Sequence, residues 1–402
     1  MSERISLFAI FHLNLAFSSI EEEQRAEVIQ RCYWPLLRLI RSQRIPAGIE
    51  VSGYTLEAIN AIDPDWMTEL RELCNNGPAE FIGSGYTQLI GPLVPAEVNR
   101  ANQRIGLQVY KQLLGFRPSL VLVNEQAYSA GMVGHYLQAG YRGLVMEWDN
   151  PACFSSNWPS RWRFLPQVAV GTEGDELPVI WNNSILFQQF QRYVHGELEL
   201  PEYLHMLGQQ ISGGSGVIPL YGNDVEIFDF RPGRFSTEAM IEHDEWRRIQ
   251  NLVTALAADS RFHFIAPSKV LDFMPADGAG NRLRLESAQA PIPVKKQEKY
   301  NITRWAVTGR NDLHVNSLCQ RIYQRLLTVE HVGDRDWKEL CYLWSSDFRT
   351  HITSRRWSKF QRRLKAFGKK LAVASPPPPI VTDEAAPIPA EVQVTRDGDC
   401  FV

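Results

Sequence analysis

The sequence has few cysteines for its length, and none is spaced for a metal site. Six Cys occur among 402 residues, at positions 32, 74, 153, 319, 341 and 400. No two of them form a CxxC pair, so the usual zinc and haem spacings are absent. Scattered cysteines in a chain of this length are typical of reduced thiols in a cytosolic protein. The sequence therefore predicts a cytoplasmic protein rather than a disulfide-stabilised one.

The motifs that hold metals and nucleotide cofactors are also missing. The nine His include no HxH or HExxH pair, and no carboxylate cluster has metal-ligand spacing. No Gly-rich dinucleotide or phosphate loop follows the first apolar segment. We therefore expect neither a metal nor another cofactor.

Charge of one sign is not in excess, and long apolar runs are absent. The 42 basic and 45 acidic residues leave a net charge of −3, which does not favour nucleic acid or an acidic membrane surface as a partner. No run approaches the ~18 apolar residues of a membrane span. Residues 5–17 are interrupted by His12 and Asn14 and are predicted to form a strand rather than an export signal. The oligomeric state is left open.

Two apolar runs each end in an acid. They are residues 119–125 (SLVLVNE) and 217–224 (VIPLYGND), which end in Glu125 and Asp224. Both are predicted to be buried strands, and an α/β barrel carries its chemistry at the carboxyl ends of its strands. Two acids that face each other at about 5–5.5 Å can act as nucleophile and proton donor of a retaining glycosidase. A single acid at a strand end is more often structural than catalytic, so each needs support from its surroundings.

Predicted strands and helices alternate over the first ~270 residues, as expected for a parallel sheet with crossover helices. Seven or eight strands over this length favour a closed or nearly closed barrel over a doubly wound sheet. The predicted strands lie at 5–12, 48–52, 80–86, 119–124, 145–149, 179–182, 217–221 and 262–266. The predicted helices lie at 20–43, 55–75, 95–114, 129–139, 201–211 and 236–258.

The chain divides into four predicted parts. Residues 1–275 form the barrel, 276–294 a linker or surface excursion, and 295–372 a helical domain. Residues 373–402 form a Pro-rich tail without helical periodicity, which predicts disorder. Basic residues crowd positions 355–370, and a solvated helix face is the interpretation that we prefer to nucleic-acid binding.

Polar side chains follow the other predicted strands as well, as a site at the mouth of a barrel requires. His12 and Asn14 follow the first strand, and the segment that contains Gln88 follows the third. Asp149 follows the fifth, close to Trp148. Any one of them alone is a weak signal, because a lone His such as His12 is more often a core or loop histidine.

Five segments, taken in order, resemble the five sequence regions of family 57 glycoside hydrolases, enzymes of α-glucans and related α-glycosides. The segments are residues 8–16 (FAIFHLNLA), 83–90 (GSGYTQLI), 122–128 (LVNEQAY), 223–228 (NDVEIF) and 264–271 (FIAPSKVL). The helical segment from residue 295 onward is similar to the helical region that follows the barrel in that family. The resemblance implies an α/β fold, an incomplete TIM-like barrel of the (β/α)7 type followed by an α-helical domain.

The resemblance also implies roles for individual residues. Glu125 would be the nucleophile and Asp224 the acid/base, while His12 would contact the sugar and Glu226 would orient its hydroxyls. The candidate substrate-binding residues are His12, Asn14, Gln88, Trp148, Asp149, Trp181, Glu226, Trp246 and Trp305. For each of these Trp residues, core packing remains the preferred alternative to sugar stacking.

The sequence departs from the family pattern around the two acids. Asn14 stands where a second His is expected, Gln88 replaces a Glu, and Val225 replaces a Gly. We therefore expect a retaining hydrolase or transglycosylase whose partner is an oligo- or polysaccharide with α-glycosidic bonds. Two alternatives remain: a glycan-binding or polysaccharide-assembly protein with a decayed site, and a metal-dependent polysaccharide deacetylase.

Overall fold

The computed structural model describes residues 4–210, 216–231, 244–274, 281–294, 301–349 and 352–373. Its strands form two five-stranded sheets, one ordered β3-β2-β1-β8 with β9 paired to β1, the other β10-β6-β7-β5-β4. The strands are β1 (Ile5–Leu13), β2 (Ala47–Val51), β3 (Ala79–Ile82), β4 (Leu120–Leu122), β5 (Gly143–Glu147), β6 (Gln167–Val170), β7 (Glu176–Asn182), β8 (Val217–Asp224), β9 (Phe262–Phe264) and β10 (Arg282–Leu283).

Gly83 joins the two sheets into an incomplete barrel. Its N–H donates to Leu120 O at 3.0 Å, and its carbonyl accepts from Leu122 N at 2.8 Å. Seven parallel strands thus follow one another in the order β8, β1, β2, β3, β4, β5, β7. Between β7 and β8, the side chain of Asn182 donates to Gly222 O at 2.7 Å. Among the described residues no backbone ladder joins these two strands, so the predicted incomplete barrel is confirmed.

Helices cover the outside of the barrel and follow it in the chain. They are α1 (Arg25–Val28), α2 (Trp34–Gln43), α3 (Gly53–Ile62), α4 (Pro64–Asn76), α5 (Ala96–Leu114), α6 (Gly131–Ala139), α7 (Asp149–Ala152), α8 (Ser184–Val194), α9 (Leu200–Gln209), α10 (Glu245–Ala258), α11 (Asp312–Leu326), α12 (Asp334–Trp344) and α13 (Ser354–Lys370). None of the helices within the described ranges has the length and apolar character needed to cross a bilayer.

The barrel interior is built in layers because alternate side chains of a strand point inward. One layer is an apolar cluster that includes Phe8, Ile82 and Val145, with Val270 of the 3₁₀ helix Pro267–Phe273 packed against it. His12 lies on β1 after Phe8, at an even spacing, and so extends the same inward face toward the carboxyl ends of the strands. That end is called the barrel mouth below, and the polar residues gather there.

Several elements differ from the sequence prediction. The helix predicted at 55–75 is two helices, because Pro64 starts α4 and the Asp63 side chain caps it by accepting from Trp66 N. Helix α8 and strand β6 are not expected from the sequence pattern; β6 runs antiparallel to β7. The predicted linker contributes β10, which pairs with β6.

Some predictions fall outside the described residues. They concern residues 236–243 of one predicted helix, residues 275–280 and 295–300 at the predicted domain boundaries, and residues 374–402 of the predicted tail. The division into barrel, linker and helical domain therefore stays a prediction.

Candidate functional site

His12 lies between two acids because of strand register. On β1 it is the partner of Glu50 on β2 and of Asp224 on β8. Its Nδ1 is hydrogen-bonded to Glu50 Oε2, and its Nε2 lies 3.9 Å from Asp224 Oδ1. The side chain of Gln88, from the segment after β3, contacts Nε2 at 2.7 Å. Three neighbouring strands and one loop thus bring four polar residues together at the barrel mouth.

The carboxylates around His12 decide its charge. Burial lowers the pKa of His12, but Glu50 and, more weakly, Asp224 and Glu226 outweigh burial and raise the pKa to about 10. Opposite charges at hydrogen-bond distance favour the protonated ring. His12 is therefore a cation at neutral pH.

Glu226 is buried beside this group. Its Oε1 accepts from Asn14 N at 2.6 Å and from the hydroxyl of Tyr33. Burial and the nearby Asp224 carboxylate raise the pKa of Glu226, against the lowering effect of Asn14, His12 and Tyr33. The structure thus places Asn14 beside Glu226, whose pKa responds to the nearby Asp224 charge, while a shared substrate site stays a prediction.

Asp347 reaches the same region from the helical part of the chain. Its Oδ1 accepts from Asn14 Nδ2 at 2.8 Å and its Oδ2 from Ser345 Oγ at 3.1 Å. Burial and the charge of Glu125 are the influences that raise the pKa of Asp347, while Asn14 and Arg356 lower it. Asn14 therefore links Asp347 to Glu226, and the charge of Glu125 is near enough to raise the pKa of Asp347.

Glu125 follows β4 in an unusual backbone conformation. Its φ is 52° and that of Gln126 is 57°, a left-handed region that non-glycine residues seldom occupy. The side chains on both sides hold this turn: Asn124 Nδ2 donates to Ser84 O at 2.9 Å, and Gln126 Oε1 accepts from Glu147 N at 2.7 Å. Strained residues that their surroundings hold in place are concentrated at functional sites.

Glu147 ends β5 and is nearly fully buried. Its Oε1 accepts from Ser184 N at 2.8 Å. Burial raises the pKa of Glu147 to about 8, helped by Asp149, so the group is largely protonated at neutral pH. Asp149, a predicted substrate-binding residue, begins α7 and is half-buried.

The four Trp residues predicted as candidates for sugar stacking lie in different surroundings. Trp148 and Trp181 are almost fully buried and pack edge to face, with ring centroids 5.2 Å apart. Trp246 packs on Phe228 and donates to Arg31 O at 3.0 Å. Trp305 is buried in a small cluster that contains Ala127, which closely follows Glu125 in the chain. Each ring has a packing role, and the stacking role stays a prediction.

Glu50, Glu147 and Asp347 are not among the site residues predicted from the sequence. Glu50 is a single acid inside the apolar segment GIEVS, and only the register with β1 shows that it faces His12. Glu147 is marked in the sequence only as a polar residue at the end of a predicted strand. Asp347 lies 123 positions after Asp224 in the chain, and no local pattern marks it because tertiary packing alone brings it to the mouth.

The described residues contain no group of three or more His, Cys, Asp or Glu side chains that could hold a metal ion. The metal set that a barrel deacetylase needs is therefore not found in the part of the chain that the structure describes.

Comparisons with known proteins find similarity to glycoside hydrolases. The model of the family described as Glycosyl hydrolase family 57 matches residues 9–192. An alpha-amylase of Pyrococcus furiosus is 20% identical over 210 residues, which are 52% of this chain and 31% of that protein. A 4-alpha-glucanotransferase of Thermococcus litoralis is 25% identical over 122 residues, which are 30% of this chain and 18% of that protein. The matches thus span less than a third of the length of either curated relative.

Solved structures extend the similarity of fold along most of the chain. The crystal structure of the T. litoralis 4-alpha-glucanotransferase superimposes with a TM-score of 0.70 at 14% identity, covering 92% of this chain and 60% of that one. The alpha-amylase AmyC of Thermotoga maritima gives a TM-score of 0.66 at 12% identity and covers 92% of both chains. The family match over residues 9–192, the two curated relatives and the five ordered segments together support a divergent member of glycosyl hydrolase family 57.

Proposed function

We propose that the protein is a retaining glycoside hydrolase or transglycosylase that acts on the α-glycosidic bonds of an α-glucan-like oligo- or polysaccharide. The observation that carries the proposal is the grouping of His12, Asp224, Glu226 and Asp347 at one barrel mouth, where the charge of Glu125 contributes to the raised pKa of Asp347. The names of the relatives, an alpha-amylase and a 4-alpha-glucanotransferase, support the substrate class.

In the first step the Glu125 carboxylate attacks the anomeric carbon of the bound sugar. The bond to the leaving oxygen breaks, and the Asp224 carboxyl donates its proton to that oxygen. The sugar is then held as an ester of Glu125. In the second step the Asp224 carboxylate takes a proton from water or from a hydroxyl of an acceptor sugar, and that oxygen displaces Glu125 from the anomeric carbon.

The surroundings suit these two roles. The strained turn of Asn124 to Gln126, held by the Asn124 side chain, carries Glu125 at the end of β4. Asp347 is buried, and burial favours its protonated form, in which it can donate a hydrogen bond. Asp224 is about one fifth exposed, so a leaving oxygen can approach it from the mouth.

Covalent trapping tests the proposal. The protein is treated with a panel of ring-fluorinated α-glycosyl fluorides of different sugar configurations, and peptides are examined by mass spectrometry. We expect a glycosyl adduct on Glu125 in the wild type and none in Glu125→Gln. If no donor in the panel labels the wild type, the glycan-binding alternative is favoured instead.

A second variant separates the two acids. Asp224→Asn keeps the size of the side chain but cannot take a proton from the acceptor, so the adduct formed from an activated fluoride should persist. Azide needs no such proton removal, and it should release the sugar as a glycosyl azide of retained configuration. Azide without effect, or a product of inverted configuration, would contradict the role given to Asp224.

A further inference from the structure

Glu50 is a buried carboxylate that the proposed reaction does not use. It is 0% exposed, and Oε2 is bound to His12 Nδ1. Its other oxygen, Oε1, has no hydrogen-bond partner among the described residues. A buried carboxylate is costly unless a partner offsets the loss of water. His12 is the partner that the structure provides, and the two residues therefore depend on each other.

The strand register fixes which side of the ring faces the substrate. Because His12 and Glu50 are direct partners across β1 and β2, Nδ1 is directed at Glu50. The opposite nitrogen, Nε2, is then directed toward Gln88 and Asp224. A hydrogen bond to one imidazole nitrogen sets the role of the other.

The charged groups that face His12 come from two elements. Glu50 lies on β2, Asp224 ends β8, and Glu226 follows β8. Gln88, from the segment after β3, is neutral and contacts Nε2 at 2.7 Å. When His12 is protonated, Nε2–H donates, and the Gln88 amide accepts through its oxygen after a half-turn. Of these groups, Glu50 is hydrogen-bonded to His12 and fully buried, whereas Asp224 is partly exposed.

We propose that Glu50 is a positioning residue that holds His12 as a cation at the barrel mouth and directs its Nε2–H toward Gln88 and Asp224, where an oxygen of the bound sugar takes the place of Gln88 as the acceptor. The sugar contact rests on the proposed function, whereas the charge of His12 does not. With Glu50 in place, His12 stays charged through neutral pH and presents a donor with a fixed direction. Without the Glu50 charge, the same ring becomes a neutral group that can donate from either nitrogen.

The first measurement is the titration of His12 by nuclear magnetic resonance in protein labelled at histidine, with the His12 signal assigned by its loss in His12→Gln. The wild-type ring should remain protonated at pH 8, consistent with a pKa of about 10. In Glu50→Gln the midpoint should fall by about 1–3 pH units, the usual effect of a lost opposite charge at this distance. A neutral His12 in the wild type at pH 8 overturns the proposal even if Glu50→Gln does not fold.

The second measurement is the pH dependence of kcat/KM on an activated α-glycoside. Glu50→Gln should show a new fall in kcat/KM on the alkaline side, at the lowered midpoint of His12. Glu50→Asp, which keeps the charge, should restore the wild-type profile. A role in folding alone would lower the amount of active protein at every pH and would leave the profile unchanged; that result would overturn the proposal.

Glu147→Gln is the matched control, because Glu147 is another buried glutamate at a barrel strand end that has no contact with His12. The His12 midpoint should not move in this variant.

The two proposals fail in different ways. A wild type that forms no adduct on Glu125 contradicts the proposed function, while the His12 titration still tests the pairing with Glu50.

Discussion

Buried carboxyl groups give the barrel mouth a stability that depends on pH. Glu147 has a folded-state pKa of about 8, above the usual value of about 4.3 for an exposed Glu. A raised folded pKa contributes stability fully below the unfolded pKa and loses it as pH rises through the folded pKa. The wild type should therefore lose stability from about pH 4.3 to about pH 8 on account of this residue.

Glu147→Gln removes this titration and keeps the oxygen that accepts from Ser184 N. Between about pH 5 and about pH 8.5 the variant should gain a few kcal/mol of stability relative to the wild type, because only the wild type loses stability through this titration. A tenfold change in a proton-binding constant corresponds to about 1.4 kcal/mol. Urea unfolding at both pH values measures it. Glu173→Gln, at an exposed position, should give curves parallel to the wild type. Parallel curves for Glu147→Gln as well would contradict the prediction.

At the scale of elements, the segment that carries Gln88 packs closely against the backbone of α5. The Asn102 side chain on α5 donates to Thr87 O at 3.0 Å and accepts from Thr87 N at 2.9 Å. A Cβ added at Gly106 would lie 2.5 Å from the carbonyl carbon of Gly85 and 2.7 Å from Tyr86 N. Because both contacts are with backbone, α5 or the segment itself would have to move.

Gly106→Ala should therefore destabilise the protein by about 1–3 kcal/mol, as overpacking does, and lower kcat/KM because Gln88 shifts away from His12. Thermal unfolding and kinetics on the same preparation measure both effects. Gly368→Ala in α13 is the control, since its Cβ would meet only side chains at 3.6 and 4.0 Å. That variant should be as stable as the wild type or up to about 1 kcal/mol more stable. Equal behaviour of the two variants would argue against the close approach.

The same elements show how far the sequence could lead. Apolar runs that end in Glu125 and Asp224 predict two strands and the barrel, because burial on both faces leaves a continuous apolar run. The pairing of His12 with Glu50 could not be predicted, since register depends on the whole sheet. Strand β6 escapes prediction because it is short and part of an irregular segment. Asp347 escapes it because its place depends on the packing of the helical part.

At the scale of the whole molecule, the helical part completes the barrel mouth. Ser346 N donates to Gln88 O at 2.9 Å, beside a bridge between Leu89 and Ser345. The buried guanidinium of Arg356 on α13 donates to Ala16 O at 2.9 Å and to Phe17 O. These contacts reach the segments that follow β1 and β3, which carry Asn14 and Gln88. We therefore expect the barrel and the helical part to unfold together.

Arg356→Met tests this coupling, since Met fills much of the same space but cannot donate to the two carbonyls. Hydrogen bonds from charged groups contribute about 1.5–3 kcal/mol each, so the variant should be destabilised by a few kcal/mol in a single transition. Far-ultraviolet circular dichroism and tryptophan fluorescence should shift together. Arg355→Met is the control: Arg355 is exposed and paired with Glu23, and exposed ion pairs contribute little. Two separate transitions, with only one moved by Arg356→Met, would show instead that the helical part folds on its own and that the site is assembled from two independent units.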